Sequence, residues 1–251
     1  MTYEDEKFLI RNNSGKSLCG DILPIRRDPV VIEPVKESPP RPVNLIVGIP
    51  TGMSNDFEWT KDFAVKFVTR MCPPNSGLIF ENRYGIAQAR ESIVNQFIQN
   101  PLATHLLFFD SDILPIELHG VNTLIADTLT DPKKYIVVGL YYNSLYSGLN
   151  CWKNEIALKL QDLQQYTDPV VEVDKVGMGY TIIRKDLFQV LTLEERPLFF
   201  YKIQEGNVMK SEDFVFFDKL AKYGIHPFVD SRVTAQHIKR CKVNADGGIQ
   251  F

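Results

Sequence analysis

The sequence contains 251 residues, of which 44% are hydrophobic and 24% are charged, a balance typical of a globular protein with a substantial core. Its formal net charge of -3 argues against the strongly basic surface of a general nucleic-acid-binding protein, so no nucleic-acid partner is expected. No apolar run reaches the roughly 20 residues needed to cross a bilayer, and the acidic start of the chain lacks the basic and apolar regions of a signal peptide. We therefore expect a cytoplasmic protein without an integral membrane segment.

Prolines punctuate the N-terminal part of the chain. They fall at Pro24, Pro29, Pro34, Pro39, Pro40 and Pro42. This spacing prevents a long helix and favours an extended segment. We therefore expect a Pro-rich arm over residues 1–42, a domain over residues 43–240 and a C-terminal tail over residues 241–251. The arm could pack across the domain or contact another subunit, which leaves a homo-oligomer open.

Strands and helices alternate from Val43 onwards. Short apolar runs predict the strands, and the segments between them carry apolar residues at helical spacing. The predicted strands cover residues 44–50, 77–80, 105–109 and 135–139, and the predicted helices cover residues 56–71, 86–100 and 117–128. This alternation indicates an α/β fold with a largely parallel central sheet flanked by helices.

An Asp-Ser-Asp sequence, Asp110-Ser111-Asp112, directly follows the third predicted strand, whose residues 106–109 are all apolar. In an open α/β sheet, ligands bind beyond the carboxyl ends of the strands, and alternate residues of an extended chain point the same way. Both carboxylates can therefore face one ligand, and such hard oxygen ligands suit Mg²⁺ or Mn²⁺ together with phosphate oxygens and water. The alternative is a turn whose aspartates only cap the chain from Ile113 onwards.

Several segments of the chain, taken in order, resemble segments of the GT-A glycosyltransferases, particularly the family-2-like group. They are the strand 45–49 with the loop Pro50-Thr51-Gly52, the helix 83–90, the strand and turn 105–112, the strand 177–184 and residues 211–214. In that order they look like the family's opening strand and nucleotide-binding loop, its basic helix, its DxD motif, its glycine-containing acceptor-side strand and its ED motif. The match covers about residues 43–240.

The resemblance implies a GT-A type, Rossmann-like single domain that moves a sugar from a UDP- or GDP-sugar to the hydroxyl of a glycan, lipid or protein acceptor. It also implies a set of donor-binding residues, with arginines on the phosphates and an aspartate on the nucleotide ribose or the metal shell. These residues are Pro50, Thr51, Gly52, Arg83, Arg90, Asp110, Ser111 and Gly179. Arg90 could instead be an exposed helix residue paired with Glu91 or solvent.

A divalent-cation site is also implied by the resemblance. Asp110, Asp112 and His237 would hold Mn²⁺ or Mg²⁺, which bridges the diphosphate of the donor. A neutral imidazole is an acceptable ligand for Mn²⁺ and a poorer one for Mg²⁺. The alternative for His237 is a structural role, which is common for a lone histidine.

Ser211-Glu212-Asp213 opens a predicted helix that runs to about Tyr223 and is closed by Gly224. Ser211 is a suitable N-cap, and two acidic residues in the first turn could serve only to complement the helix dipole. By the resemblance, Asp213 is the general base that deprotonates the acceptor hydroxyl, and Glu212 orients the acceptor or the base. We expect the transfer to invert the anomeric configuration.

Three other functions remain open from the sequence. A haloacid-dehalogenase-like phosphatase also has a strand that ends in Asp-x-Asp, with the first aspartate as nucleophile. This sequence departs from that family in two ways, since Ile113 and Leu114 follow the motif and the motif lies on a middle strand. A nucleotidyltransferase would share the fold and the Asp110/Asp112 metal site. A non-catalytic nucleotide-sugar-binding module would bind the donor without transferring the sugar.

Overall fold

The computed structural model of the chain describes residues 42–51, 57–82, 85–143, 148–191, 195–203, 209–238, 242–243 and 249–250. The arm predicted over residues 1–42 lies outside these residues except for Pro42, and so does most of the predicted C-terminal tail. Within the described residues, no helix combines the length and the hydrophobicity that crossing a membrane would require.

The first half of the described chain alternates strands and helices, as the hydrophobic pattern predicts. Its elements are β1 (Leu45–Pro50), α1 (Phe57–Met71), β2 (Gly77–Glu81), α2 (Ile86–Gln99), β3 (His105–Phe109), β4 (Ile113–Pro115), α3 (Gly120–Thr130) and β5 (Ile136–Asn143). The short strand β4 was not predicted. The strand β5 extends beyond the predicted end at Gly139 because it continues to pair with a later strand through Leu140 and Tyr141.

The second half of the chain has shorter elements. They are β6 (Gly148–Leu149), β7 (Cys151–Lys153), β8 (Ile156–Ala157), α4 (Leu160–Leu163), β9 (Val170–Glu172), β10 (Lys175–Val176), β11 (Tyr180–Arg184), α5 (Leu187–Val190), β12 (Lys202–Ile203), β13 (Met209–Lys210), α6 (Glu212–Ala221), β14 (Phe228–His237), β15 (Lys242–Val243) and β16 (Ile249–Gln250). Several of these strands form small antiparallel groups of their own, β10-β7-β8, β12-β13 and β15-β16.

A nine-stranded sheet forms the centre of the fold, with the order β2-β1-β3-β11-β5-β14-β4 and with β6 and β9 at its margins. The strands β1, β2 and β3 are parallel to one another, and β14 is parallel to β5. The strand β11 lies between β3 and β5 and is antiparallel to both. The strands β1, β2, β3, β5 and β14 therefore share one direction, and β11 is the one strand of five or more residues in the described sheet that runs the other way. This arrangement confirms the predicted α/β fold with a mostly parallel sheet.

The strand β3 is buried along its whole length and packs on both faces, as its apolar run predicts. Phe108 faces the core cluster that contains Phe97 of α2, and Phe109 faces the cluster that contains Phe67 of α1. The rings of Phe67 and Phe109 are stacked with centroids 4.3 Å apart. Burial of each such ring contributes about 1.5–3 kcal/mol, so the end of β3 has a well-defined position.

Gly48 lets α2 approach β1 closely, and this contact yields a prediction. A Cβ atom on Gly48 would lie 2.4 Å from Cγ2 of Ile93, a branched and fully buried side chain of α2. We expect Gly48→Ala to lower the free energy of unfolding by about 1–3 kcal/mol, as overpacking does in other cores. Chemical denaturation measures this change.

The matched control is Gly77→Ala in the half-buried edge strand β2. A Cβ atom there would meet only Cδ1 of Ile46, the mobile end of a side chain, at 2.6 Å. The control should therefore lose less stability than Gly48→Ala. If both variants lose the same free energy of unfolding, the contact between β1 and α2 is no tighter than that between β1 and β2.

Candidate active site

The turn after β3 brings two aspartates to the carboxyl end of the sheet. The backbone N–H of Asp110 donates to the carbonyl of Gly179 at 2.9 Å, which ties the end of β3 to the start of β11. The N–H of Ile113 donates to the carbonyl of Asp110 at 3.1 Å, which closes the turn through Ser111 and Asp112. The chain then enters β4, which pairs with the end of β14. The aspartates thus lie at the edge where ligands bind in open α/β sheets.

The guanidinium of Arg90, on α2, joins three carboxylates. Its Nη2 donates to both carboxylate oxygens of Asp110, at 3.0 and 2.9 Å. Its Nη1 donates to Oε1 of Glu212 at 2.5 Å and to Oδ1 of Asp213. Only 2% of the Arg90 side chain is exposed, so the alternative of an exposed helix residue is wrong. In this position the guanidinium faces carboxylates and not an open phosphate site. The sequence did not predict these carboxylate contacts.

Burial and neighbouring charges shift the protonation of this cluster. Burial raises the pKa of Asp110, although Arg90 opposes the shift. Burial also raises the pKa of Asp213 to about 7, with Arg90 again opposing and the negative charge of Glu212 adding to the rise. Burial alone would lower the pKa of Arg90, but the three carboxylates outweigh it and raise that pKa. Asp213 can therefore exchange a proton near neutral pH, as a general base must.

The acidic pair occupies the first turn of α6, as predicted, but it does more than complement the helix dipole. Ser211 stands at the N-cap position, yet its side chain makes no capping hydrogen bond. Glu212 is 5% exposed and is bound by Arg90. Asp213 accepts a second hydrogen bond, to Oδ2, from the backbone N–H of Met178 at 3.3 Å. The first turn of α6 is therefore anchored to α2 and to the segment that leads into β11.

Asp112 and His237 form a second polar pair at the same edge. Nε2 of His237 lies 3.0 Å from Oδ2 of Asp112. His237 ends β14 opposite Ile113, and the N–H of Ile238 donates to the carbonyl of Asp112 at 2.7 Å. About half of the Asp112 side chain, 53%, is exposed. The pairing of β4 with β14 therefore brings together a carboxylate and an imidazole that are 125 residues apart, with the carboxylate open to solvent.

This second pair fits a divalent cation better than Asp110 does. A carboxylate oxygen and an imidazole nitrogen are both good ligands for Mn²⁺, whereas both oxygens of Asp110 are already bound by Arg90. In the part of the chain that the structure describes, no group of three or more His, Cys, Asp or Glu side chains could hold a metal ion. A cation held by Asp112 and His237 would therefore need further oxygen ligands, such as those of a diphosphate and water.

Tyr141, at the centre of the site, was missed by the prediction of donor-binding residues. Its hydroxyl accepts a hydrogen bond from the N–H of Gly179 at 3.2 Å. A Cβ atom on Gly179 would lie 3.0 Å from both this hydroxyl and Oδ2 of Asp110, and one on Gly177 would lie 2.6 Å from the hydroxyl. The two glycines therefore make room for Tyr141 and Asp110. A Gly-x-Gly pattern before a strand is typical of a place where another group approaches the backbone closely, but it does not reveal which group approaches.

Two more of the predicted donor-binding residues, Pro50 and Thr51, lie at the end of β1. Pro50 ends β1, and Thr51 is buried and donates from its N–H and its hydroxyl to the carbonyl of Glu81, at 2.8 and 3.3 Å. These bonds attach the end of β1 to β2. Gly52 and Arg83 lie outside the described residues.

Removal of the Tyr141 hydroxyl tests its role in the site. We expect Tyr141→Phe to lower the free energy of unfolding by about 1–3 kcal/mol, because the buried N–H of Gly179 loses its acceptor. Tyr142→Phe is the matched control, since Tyr142 is the next residue along β5 and is 55% exposed. Urea titration measures both variants, and Tyr142→Phe should change the free energy of unfolding by no more than about 0.5 kcal/mol. An equally small effect for Tyr141→Phe would mean that the hydroxyl does not support the start of β11.

Comparisons with known proteins bear on the fold. No protein-family model matches the sequence, and no curated protein sequence matches it. The crystal structure of the viral protein A197 from STIV is similar, with a TM-score of 0.57 and 20% identity over 83% of this chain and 94% of that chain.

The glycosyltransferase GalNAc-T7, in a crystal structure with UDP, GalNAc and Mn²⁺, is also similar, with a TM-score of 0.50 and 13% identity. The match covers 79% of this chain and 44% of that one, so the chain spans less than half the length of GalNAc-T7. At these identities the likenesses concern the fold. Together with the order and directions of the central strands, they show that the chain has a GT-A fold.

Proposed function

We propose that the chain is a metal-dependent glycosyltransferase that moves a sugar from a UDP- or GDP-sugar to an acceptor hydroxyl. One observation carries the proposal. The Asp-Ser-Asp turn and the acidic pair of α6 lie a hundred residues apart in sequence, yet Asp110 and Asp213 bind the same guanidinium at the ligand-binding edge of the sheet. The GT-A fold supports this function, since a neighbour of that fold was solved with UDP, GalNAc and Mn²⁺.

On this proposal the donor side of the site is built around the turn after β3. Asp112 and His237 would hold Mn²⁺ or Mg²⁺, and the ion would supply positive charge to neutralise the departing nucleoside diphosphate. Asp110 and Ser111 contact the nucleotide, with Gly179 behind the Asp110 carboxylate. Pro50, Thr51, Gly52 and Arg83 complete the donor site, with Arg83 on the phosphates.

On the acceptor side, Asp213 acts as the general base. Its side chain is 16% exposed, so an acceptor hydroxyl can reach it, and its raised pKa suits proton uptake near neutral pH. The acceptor oxygen forms a bond to the anomeric carbon as the bond from that carbon to the phosphate oxygen breaks. The electron pair leaves with the diphosphate, and the proton passes to Asp213. A direct displacement of this kind inverts the anomeric configuration.

The geometry disfavours a phosphatase that uses Asp110 as its nucleophile. Such a nucleophile needs a free carboxylate oxygen to attack phosphorus. Both oxygens of Asp110 accept hydrogen bonds from Nη2 of Arg90, which lowers their nucleophilicity and fixes their direction.

Calorimetric titration tests the donor side. We expect UDP or GDP to bind the protein in the presence of Mn²⁺ and Asp112→Ala to weaken this binding at least tenfold, or about 1.4 kcal/mol, because a metal ligand is lost. Asp62→Ala is the control, since Asp62 is similarly exposed but lies on α1 and pairs with Lys66. Its affinity should match that of the unmodified protein. If neither nucleotide binds with or without Mn²⁺, the proposal fails.

Turnover tests the acceptor side and separates an enzyme from a binding module. We expect Asp213→Asn to slow the release of nucleoside diphosphate from the donor, with water as acceptor, by about 100-fold or more, because the base is lost. Donor affinity should remain within about threefold of the original. Asp218→Asn, on the exposed part of the same helix, should retain turnover. Metal-dependent donor binding by a protein that never turns over would instead favour the binding module.

A further inference from the structure

We infer that Arg90 is a positioning residue, which fixes Asp110 on the donor side and Asp213 on the acceptor side relative to each other, and that it does not bind the donor phosphates. This inference rests on the proposed function, because it assigns a role within the same site. Among the described side chains, the Arg90 guanidinium is the group that contacts both halves of the site directly.

The contacts of the guanidinium divide between its two terminal nitrogens. Nη2 is used entirely by the donor side, through both oxygens of Asp110. Nη1 is used entirely by the acceptor side, through Glu212 and Asp213. A planar fork with fixed angles between its donors therefore sets the direction of one carboxylate against the other two.

The burial of Arg90 argues against a contact with phosphate. The side chain is 2% exposed, and its Cζ lies 5.8 Å from the centroid of the Phe108 ring in the core. Its remaining nitrogen, Nε, is buried and has no hydrogen-bond partner in the described part of the chain. A phosphate could reach the guanidinium only by displacing carboxylates that are themselves held by the core and by α6. The chemistry of Arg90 is therefore directed inwards.

The directions of the Asp110 and Asp213 carboxylates both depend on the guanidinium, although other contacts help to hold each residue. Asp110 is also fixed by its own backbone, through the bond from its N–H to the carbonyl of Gly179 at 2.9 Å. Asp213 has Arg90 on one oxygen and the longer bond from the N–H of Met178, at 3.3 Å, on the other, and its backbone is held in the first turn of α6. Loss of the fork should thus change the directions of both carboxylates. A displaced base lowers kcat because proton transfer requires close alignment, whereas a displaced Asp110 weakens the nucleotide contact regardless of the number of phosphates.

The test is Arg90→Lys, which keeps the positive charge but has no fork and so cannot hold all three carboxylates. Calorimetry gives the affinities for UDP and UMP with Mn²⁺, or for GDP and GMP if the protein selects guanine. Steady-state hydrolysis of the matching nucleotide sugar gives kcat and KM. The control is Arg184→Lys, since Arg184 also makes several hydrogen bonds but lies at the other end of β11, opposite His105.

We expect Arg90→Lys to weaken the binding of the diphosphate and the monophosphate nucleotide by the same factor, so that the ratio of the two dissociation constants stays unchanged. We expect kcat to fall roughly 100-fold, since small displacements of a catalytic group have effects of this size, while KM changes far less. Arg184→Lys should change neither ratio nor kcat. A purely structural role of Arg90 would reduce the fraction of protein that binds and leave the kcat of the bound fraction intact, which would overturn the inference.

If Arg90→Lys loses more affinity for the diphosphate than for the monophosphate, the inference is also overturned, because that result is expected of a residue that binds the phosphates. If Arg90→Lys does not fold, the double variant Arg90→Gln with Glu212→Gln replaces it, because it removes one positive and one negative charge together. The ratio of the two dissociation constants and kcat are then measured on the double variant.

Failure of the unmodified protein to bind any nucleotide would overturn the proposed function and this inference with it. The behaviour of the unmodified protein therefore separates the two failures.

Discussion

The buried guanidinium of Arg90 is the contact on which the arrangement of the site depends. Three carboxylates are largely buried against it, and the burial of each one without a partner would be costly. Breaking a buried ion pair by removing one partner costs about 3–5 kcal/mol, because the remaining charge stays without compensation. The elements that carry these groups, α2, the end of β3 and the start of α6, are therefore held together by one charge. Packing of β3 between two hydrophobic clusters supplies the rigid frame that makes such precision possible.

The cluster is not electrically balanced, and this imbalance bears on its chemistry. Three carboxylates against one guanidinium leave two negative charges when all are ionised. Burial raises the pKa values of Asp110 and Asp213, and neighbouring carboxylates add to the rise, so a proton on the cluster relieves part of the imbalance. A divalent cation placed beside the cluster, at Asp112 and His237, would relieve it as well. The site is thus suited to a cationic cofactor and a shared proton at neighbouring positions.

Local features of this structure were predictable from the sequence, and distant ones were not. The strands and helices of the first half follow from apolar runs and helical spacing, and Asp110 and Asp112 could be placed because a turn directly after a buried strand has only one end of the sheet to occupy. The partners of Arg90 could not be found in this way, since they lie 20, 122 and 123 residues from it along the chain. The strand β4 depends on pairing with β14, which leaves no periodic signal, and the closeness of Asp112 and His237 was expected only from the resemblance to the GT-A glycosyltransferases.

The reversed direction of β11 could not be predicted either, because an apolar run does not encode the direction of a strand. Its consequence concerns the polarity of the backbone at the ligand-binding edge. The segment that enters β11 donates the backbone N–H of Met178 to the Asp213 carboxylate and that of Gly179 to the Tyr141 hydroxyl. Because β11 is inverted, its start, and with it these two backbone donors, lies at the edge that carries the acidic groups of the site.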